Sequence, residues 1–151
     1  MQKAYSCSSP CERNDKLAHV PWVEVFAVFL VCHLTGDYLL QTNWQATHKR
    51  AGLGPDPVAR RALLSHIATY TLAFVPALVW LADDLQAGVI WVAALIAVPH
   101  LVQDDGRLLG LYMSRAKRLD PFADPTVTTA VDQAFHYLAL FALALLVGAA
   151  S

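Results

Sequence analysis

The sequence predicts an all-α polytopic membrane protein with four transmembrane helices in a bundle, and three observations lead there. Hydrophobic residues make up 56% of the 151-residue chain and charged residues only 15%, where about 25% charged is usual for soluble domains. Mean hydropathy is +0.42. Residues 62–82, 85–103 and 133–151 carry no Asp, Glu, Lys or Arg over 21, 19 and 19 positions, and roughly 20 mostly apolar residues cross a bilayer core as a helix. These runs are rich in Ala and Leu and do not alternate with polar residues, which disfavours strands. The length is that of one domain. A formal net charge of −1 excludes a basic nucleic-acid surface, so the bilayer is the implied partner and nucleic acid is not. A soluble helical bundle around buried carboxylates is the alternative.

Residues 1–18 are polar and mixed in charge and read as a flexible tail. They are not read as a signal peptide, because no small-residue cleavage site closes the apolar run that follows. Cys7 and Cys11 lie in this tail with no further cysteine nearby and are read as free thiols rather than a metal or disulfide pair. Residues 19–151 form a single transmembrane domain, with spans at about 21–44, 62–82, 85–105 and 126–149. The first span has its longest charge-free stretch at 25–36 and carries Asp37 inside; Trp22 and Trp44 are placed at its ends as interfacial anchors. Cys32 is read as a small core residue, and Glu24, His19 and His48 as solvated. The loop 49–61, with Gly52, Gly54, Pro55 and Pro57, separates spans one and two. Pro76 and Pro99 fall within spans two and three as tolerated kinks. A second break covers 119–125, where Asp124 caps a last helix opened by Pro125.

Basic residues set the orientation. Lys49, Arg50, Arg60 and Arg61 lie between spans one and two, and Arg107, Arg115, Lys117 and Arg118 follow span three. The other side has Lys3, Arg13 and Lys16, all in the tail. The bias puts both basic loops in the cytoplasm and both termini outside.

Each span also carries polar residues: His33, Asp37 and Gln41; His66; His100 and Asp104; Asp132, Gln133 and His136. A spacing of four places His33/Asp37/Gln41, His100/Asp104 and Asp132/His136 each on one helix face. With alternating span directions and a rise of about 1.5 Å per residue, all four groups fall in one layer of the cytoplasmic half. A mid-membrane carboxylate costs about 2.5–3.5 kcal/mol, so Asp37, Asp104 and Asp132 together cost on the order of 8–10 kcal/mol. One or two divalent cations offset that cost, because imidazole and carboxylate are ligands for Zn²⁺, Fe²⁺ or Mn²⁺. The expected metal ligands are His33, Asp37, His66, His100, Asp104, Asp132 and His136, with Gln41 and Gln133 bracing them. Interhelical hydrogen bonds among the same groups are the competing explanation.

The ordered motifs His33-Leu-Thr-Gly-Asp37-Tyr-Leu-Leu-Gln41-Thr-Asn-Trp44, Leu64-Ser-His66, His100-x-x-x-Asp104-x-x-Arg107 and Asp132-Gln133-x-x-His136 resemble a bacterial membrane family known as domain of unknown function 3307. The resemblance runs from about Val23 to Leu146. It implies a four-span protein of the bacterial plasma membrane without an established activity. The His/Asp pattern is similar to that of proteins described as membrane-bound metal-dependent hydrolases, an analogy of pattern alone. The chain departs from the family at Asp105-Gly106, where an apolar pair is more usual, and Gly106 is a helix-ending residue there.

Three functions are open on this evidence. The first is a metal-dependent hydrolase acting on a lipid-linked or lipid-soluble substrate, with metal-activated water as nucleophile and Asp132 as general base. The second is a transporter or proton-relay subunit, for which four spans are few and a homo-oligomer is implied. The third is a structural membrane module. The sequence has no Gly-rich phosphate loop, G-x-S-x-G elbow or H-E-x-x-H motif, which disfavours a P-loop ATPase, a serine hydrolase and a zincin peptidase.

Overall fold

The computed structural model describes residues 21–120 and 123–150. The expected tail, Cys7, Cys11 and His19 lie outside them. The described residues are all-helical, without strands, and run in the order α1 (Trp22–Leu34), a π-helical turn (Thr35–Leu40), α2 (Asn43–His48), α3 (Pro57–Ala73), α4 (Val75–Leu85), a 3₁₀ turn (Gln86–Gly88), α5 (Val89–Asp104), α6 (Arg107–Arg115) and α7 (Pro125–Ala150). Three helical stretches are long and apolar enough to cross a membrane: Trp22–Leu40, Val75–Asp104 and Pro125–Ala150.

The expected span at 21–44 ends at Leu40. Gln41 and Thr42 turn extended, and the Thr42 side chain caps the short α2 by accepting from the Gln45 backbone while Gln45 reaches back to Thr42 N. That capping box starts a new helix, so Trp44 belongs to α2 and does not close the first span. The expected span at 62–82 is likewise not one unbroken helix. Pro76 cannot donate to the preceding turn and its ring crowds that turn's carbonyl. The chain therefore bends at Phe74 (φ −89°, ψ −5°), where α3 gives way to α4. Gln86, at φ 49° and ψ −122°, then leaves helical geometry, and α5 packs back against both α3 and α4. Asp56 caps α3 and Asp124 caps α7, with Pro57 and Pro125 as first helical residues.

One stripe on each long helix faces inward, and it changes character along its length. On α5 the buried residues recur every four: Val92, Ile96, His100, Asp104. On α1 they run Val25, Phe29, His33; on α3 and α4, His66, Tyr70, Phe74, Ala77 and Leu81; on α7, His136, Leu140, Leu143, Ala144 and Val147. The four stripes align so that one end of the bundle is an apolar core and the other is ionisable. α1 and α7 approach closely at the apolar end, where a Cβ on Gly148 would stand 2.8 Å from Trp22 Cβ. Small residues permit such backbone contact between apolar helices. The outward faces are apolar as well, with Val31, Leu72, Val79, Trp91 and Leu138 all exposed.

A candidate metal centre at the polar end of the bundle

Each of α1, α3, α5 and α7 contributes one fully buried histidine, and the four rings meet. His66 and His100 have centroids 5.3 Å apart, His100 and His136 4.6 Å, and His33 and His136 5.3 Å. Two carboxylates enter this group. Asp37 comes from the π turn, a widened helical turn of the kind often found at functional sites, and Asp104 from the last residue of α5.

The closest convergence is of four atoms. His66 Nε2 and His100 Nε2 are 3.1 Å apart. Asp104 Oδ2 lies 2.9 Å from the first and 3.2 Å from the second. Asp37 Oδ1 lies 3.3 Å from each. Two triangles of potential donors therefore share the His66–His100 edge. Donors at about 2.0–2.2 Å from an ion stand about 2.8–3.1 Å apart at octahedral angles and about 3.3–3.6 Å apart at tetrahedral ones, and the distances of 2.9–3.3 Å here fall within that span. His136 flanks the group. Its Nδ1–H donates to the Asp132 backbone carbonyl at 2.9 Å, and its Nε2 lies 3.6 Å from Asp104 Oδ1. Asp37 Oδ1 and His136 Nε2 are buried without a hydrogen-bond partner among the described residues.

Not all the expected ligands stand alike. His33 is engaged on both nitrogens: Nε2–H donates to Gln133 Oε1 at 3.0 Å and Nδ1 accepts the Tyr70 hydroxyl at 3.1 Å. It also lies 3.6 Å from Asp37 Oδ2, and His33, Asp37 and His100 form a further group whose potential donor atoms lie within 4.8 Å of one another. Gln41 Nε2 lies 3.1 Å from both ring nitrogens of His66. Asp132 stands half-buried in the wall of a cavity beside the cluster, and its backbone, not its carboxylate, meets His136.

Several functional neighbours had weaker sequence signals. Lys49 Nζ donates to Asp104 Oδ2 at 2.8 Å. It is delivered by a loop that Asp105, itself buried, ties down: Asp105 Oδ1 accepts Leu53 N–H at 2.8 Å and its carbonyl accepts Ala51 N–H at 2.9 Å. Gly106, at φ 77°, makes the left-handed turn from α5 into α6. Tyr70 lies one helical turn past His66, a spacing that places it on the same face.

The family model described as Protein of unknown function (DUF3307) matches residues 25–151. The chain belongs to the DUF3307 family. All of the converging groups lie within the matched residues. No curated protein and no solved structure matches the chain. For this DUF3307 member the chemistry therefore rests on the site itself, a cavity of about 240 Å³ whose wall includes Asp37, Gln41, Lys49, Asp104 and Asp132.

Proposed function

We propose that this DUF3307 protein spans the bacterial plasma membrane four times, with both termini outside, and binds a divalent transition metal at His66, His100, Asp104 and Asp37 to hydrolyse a lipid-soluble substrate. The observation that carries the metal reading is the triangle His66 Nε2–His100 Nε2–Asp104 Oδ2, with sides of 2.9–3.2 Å. Two histidines and one carboxylate are the donor set of catalytic zinc sites that keep a position open. Asp37 Oδ1, 3.3 Å from both imidazole nitrogens, adds a fourth donor. Apolar outward faces and three long apolar stretches support the membrane reading. α3 and α4, bent at Phe74, together supply the second crossing, and α5 the third. The basic loops around Lys49 and Arg115 then lie on the cytoplasmic side.

Held by His66, His100, Asp104 and Asp37, a divalent ion would supply Lewis acidity and lower the pKa of a bound water. The chain's own groups do the rest. Asp132, which lines the cavity, would take the proton of an attacking water. Gln41, whose amide lies 3.1 Å from the His66 ring nitrogens, would brace that imidazole from the second sphere. His33, held by Gln133 and Tyr70, keeps α1 and α7 in register behind Asp37.

The Lys49–Asp104 pair favours a second reading, a metal-free charge network. Asp37 and Asp104 balanced by Lys49 and one imidazolium carry no net charge, and such a network suits a proton relay or a structural core. Elemental mass spectrometry on purified protein separates the two. About one equivalent of Zn, Mn or Fe is expected in the wild type and in Asp132→Ala, and none in His100→Ala or Asp104→Ala. Wild-type protein that holds no metal after loading overturns the metal reading.

A further inference from the structure

We infer that the groove between α6 and α7 binds a membrane phospholipid with an anionic head, its phosphate at Lys117 and one acyl chain against α7. The inference rests on the membrane reading above and not on the metal. The groove has a volume of about 350 Å³ and is lined by Tyr112 and Lys117 on one side and by α7 from Val127 to Leu138 on the other. At about 1.5 Å per residue that stretch of α7 covers about 16 Å. Val127 and Val131 precede the charge-free run that begins at Gln133, whereas Ala134 and Leu138 lie inside it. The groove therefore crosses from the interfacial layer into the hydrocarbon, as a phospholipid does.

The end of α6 fixes the base. Lys117 N–H donates to the Tyr112 carbonyl at 3.2 Å, Leu119 N–H donates to the Met113 carbonyl at 3.0 Å, and Arg118, at φ 54°, makes the left-handed turn between them. The Tyr112 ring packs edge-on against Phe135, with centroids 5.0 Å apart, which holds this end of α6 beside α7. Lys117 is the one charge in the groove wall, and no carboxylate lines it. Arg115 and Arg118 flank that lysine, and all three are exposed. The acids near them in the chain are Asp120 and Asp124, and Asp124 Oδ1 accepts the Thr126 and Val127 N–H groups at 2.9 and 3.2 Å. Exposed bases at a membrane surface attract anionic lipid heads, and a lysine stem lies along apolar surface while its ammonium stays at the interface. Two other apolar grooves, beside Ala27 and Ala77 and beside Ala68 and Leu72, have no charged residue in their walls, so nothing there selects a head. A second copy of the chain fits this groove poorly. Copies in one membrane share an orientation, and an interface here would set both basic segments against each other at one depth.

The test is native mass spectrometry of the full chain in detergent, offered phosphatidylglycerol and phosphatidylcholine with identical acyl chains. Phosphatidylglycerol is expected to be retained about tenfold better, since each base near an anionic head contributes about fivefold. Lys117→Gln is expected to lower that preference about fivefold. Ala134→Trp, at an exposed position, fills the groove and is expected to abolish retention. Ala68→Trp, in a groove without a base, is expected to leave it unchanged. Glycerol phosphate, a head without a chain, is expected not to compete. Equal retention of the two lipids, or retention unmoved by Ala134→Trp, overturns the inference. A dimer that Ala134→Trp disrupts also overturns it and assigns the groove to a second copy. An alkaline carbonate wash of the membranes keeps the two readings apart. Release of the protein removes the membrane reading and this inference with it, whereas protein that stays in the membrane without a head preference overturns this inference alone.

Discussion

The His100 ring lies flat on the Tyr70 ring, with centroids 3.4 Å apart and planes 4° from parallel. The same tyrosine donates its hydroxyl to His33 Nδ1. One residue of α3 therefore fixes the plane of a histidine on α5 and the hydrogen bonding of another on α1. The plane decides where His100 Nε2 points, and that atom lies on the shared edge of both donor triangles. The ring can settle there because its neighbour is Gly36: a Cβ at that position would stand 2.7 Å from Tyr70 Cδ2.

Gly36→Ala is accordingly expected to displace Tyr70 and lower thermal stability, and to weaken metal retention with it. Tyr70→Phe keeps the stack and removes the hydroxyl, leaving His33 Nδ1 buried without a donor, a loss of about 1–3 kcal/mol. Metal content is expected to fall in the first and hold in the second. Equal metal content and melting temperature in Gly36→Ala and wild type would contradict the positioning role.

Lys49 provides a test with opposite outcomes under the two readings. Removing one partner of a buried ion pair leaves an uncompensated charge and costs about 3–5 kcal/mol. If a cation also neutralises Asp104, Lys49→Met is mild in loaded protein and severe once the ion is stripped. Denaturation with and without chelator measures this difference. Equal destabilisation in both conditions favours the ion pair as the principal charge partner.

Topology is checked by cysteine labelling in a background with Cys7, Cys11 and Cys32 replaced by serine. Asp83→Cys, beside the reversal at Gln86, is expected to react with an impermeant reagent from outside. Asp56→Cys, at the cap of α3, is expected to react from the cytoplasm alone. Cytoplasmic labelling at position 83 would invert the orientation.

The convergence of the four histidines was legible because i and i+4 side chains share a face and alternating helix directions bring their polar ends to one depth. That logic is local to each helix, and it fails where a contact is not. Asp132 and His136 do share a face, yet the imidazole turns back to bond the Asp132 carbonyl, and the carboxylate is left in the cavity wall. Spacing places side chains and does not fix their rotamers. Lys49 meets a residue 55 positions away through a loop whose course depends on Asp105, and no periodicity encodes that. The break at Phe74 had a visible cause in Pro76, read from sequence as a tolerated kink; the structure shows it interrupting the helix. The early end of the first span was marked by Thr42 and Gln45, a capping pair in the midst of a motif that reads as continuous.

Metal removal separates the readings most directly. A ligand that binds only the folded protein raises its stability by about 2.7 kcal/mol at a hundredfold excess over its dissociation constant. If His66, His100 and Asp104 hold an ion, chelator lowers the melting temperature in detergent, and added Zn²⁺ or Mn²⁺ restores it. Asp104→Asn replaces a charged donor that touches both histidines, and it is expected to abolish the response to chelator. Asp132→Asn is expected to leave the response intact, because that carboxylate stands in the cavity wall rather than in the donor triangle. In a hydrogen-bonded network neither chelator nor metal acts, and the two asparagine variants differ only in how far each destabilises the fold. A melting curve unmoved by chelator or by added metal would leave Lys49 and an imidazolium as the counter-charges of Asp37 and Asp104, and the bundle as a charge network without an ion.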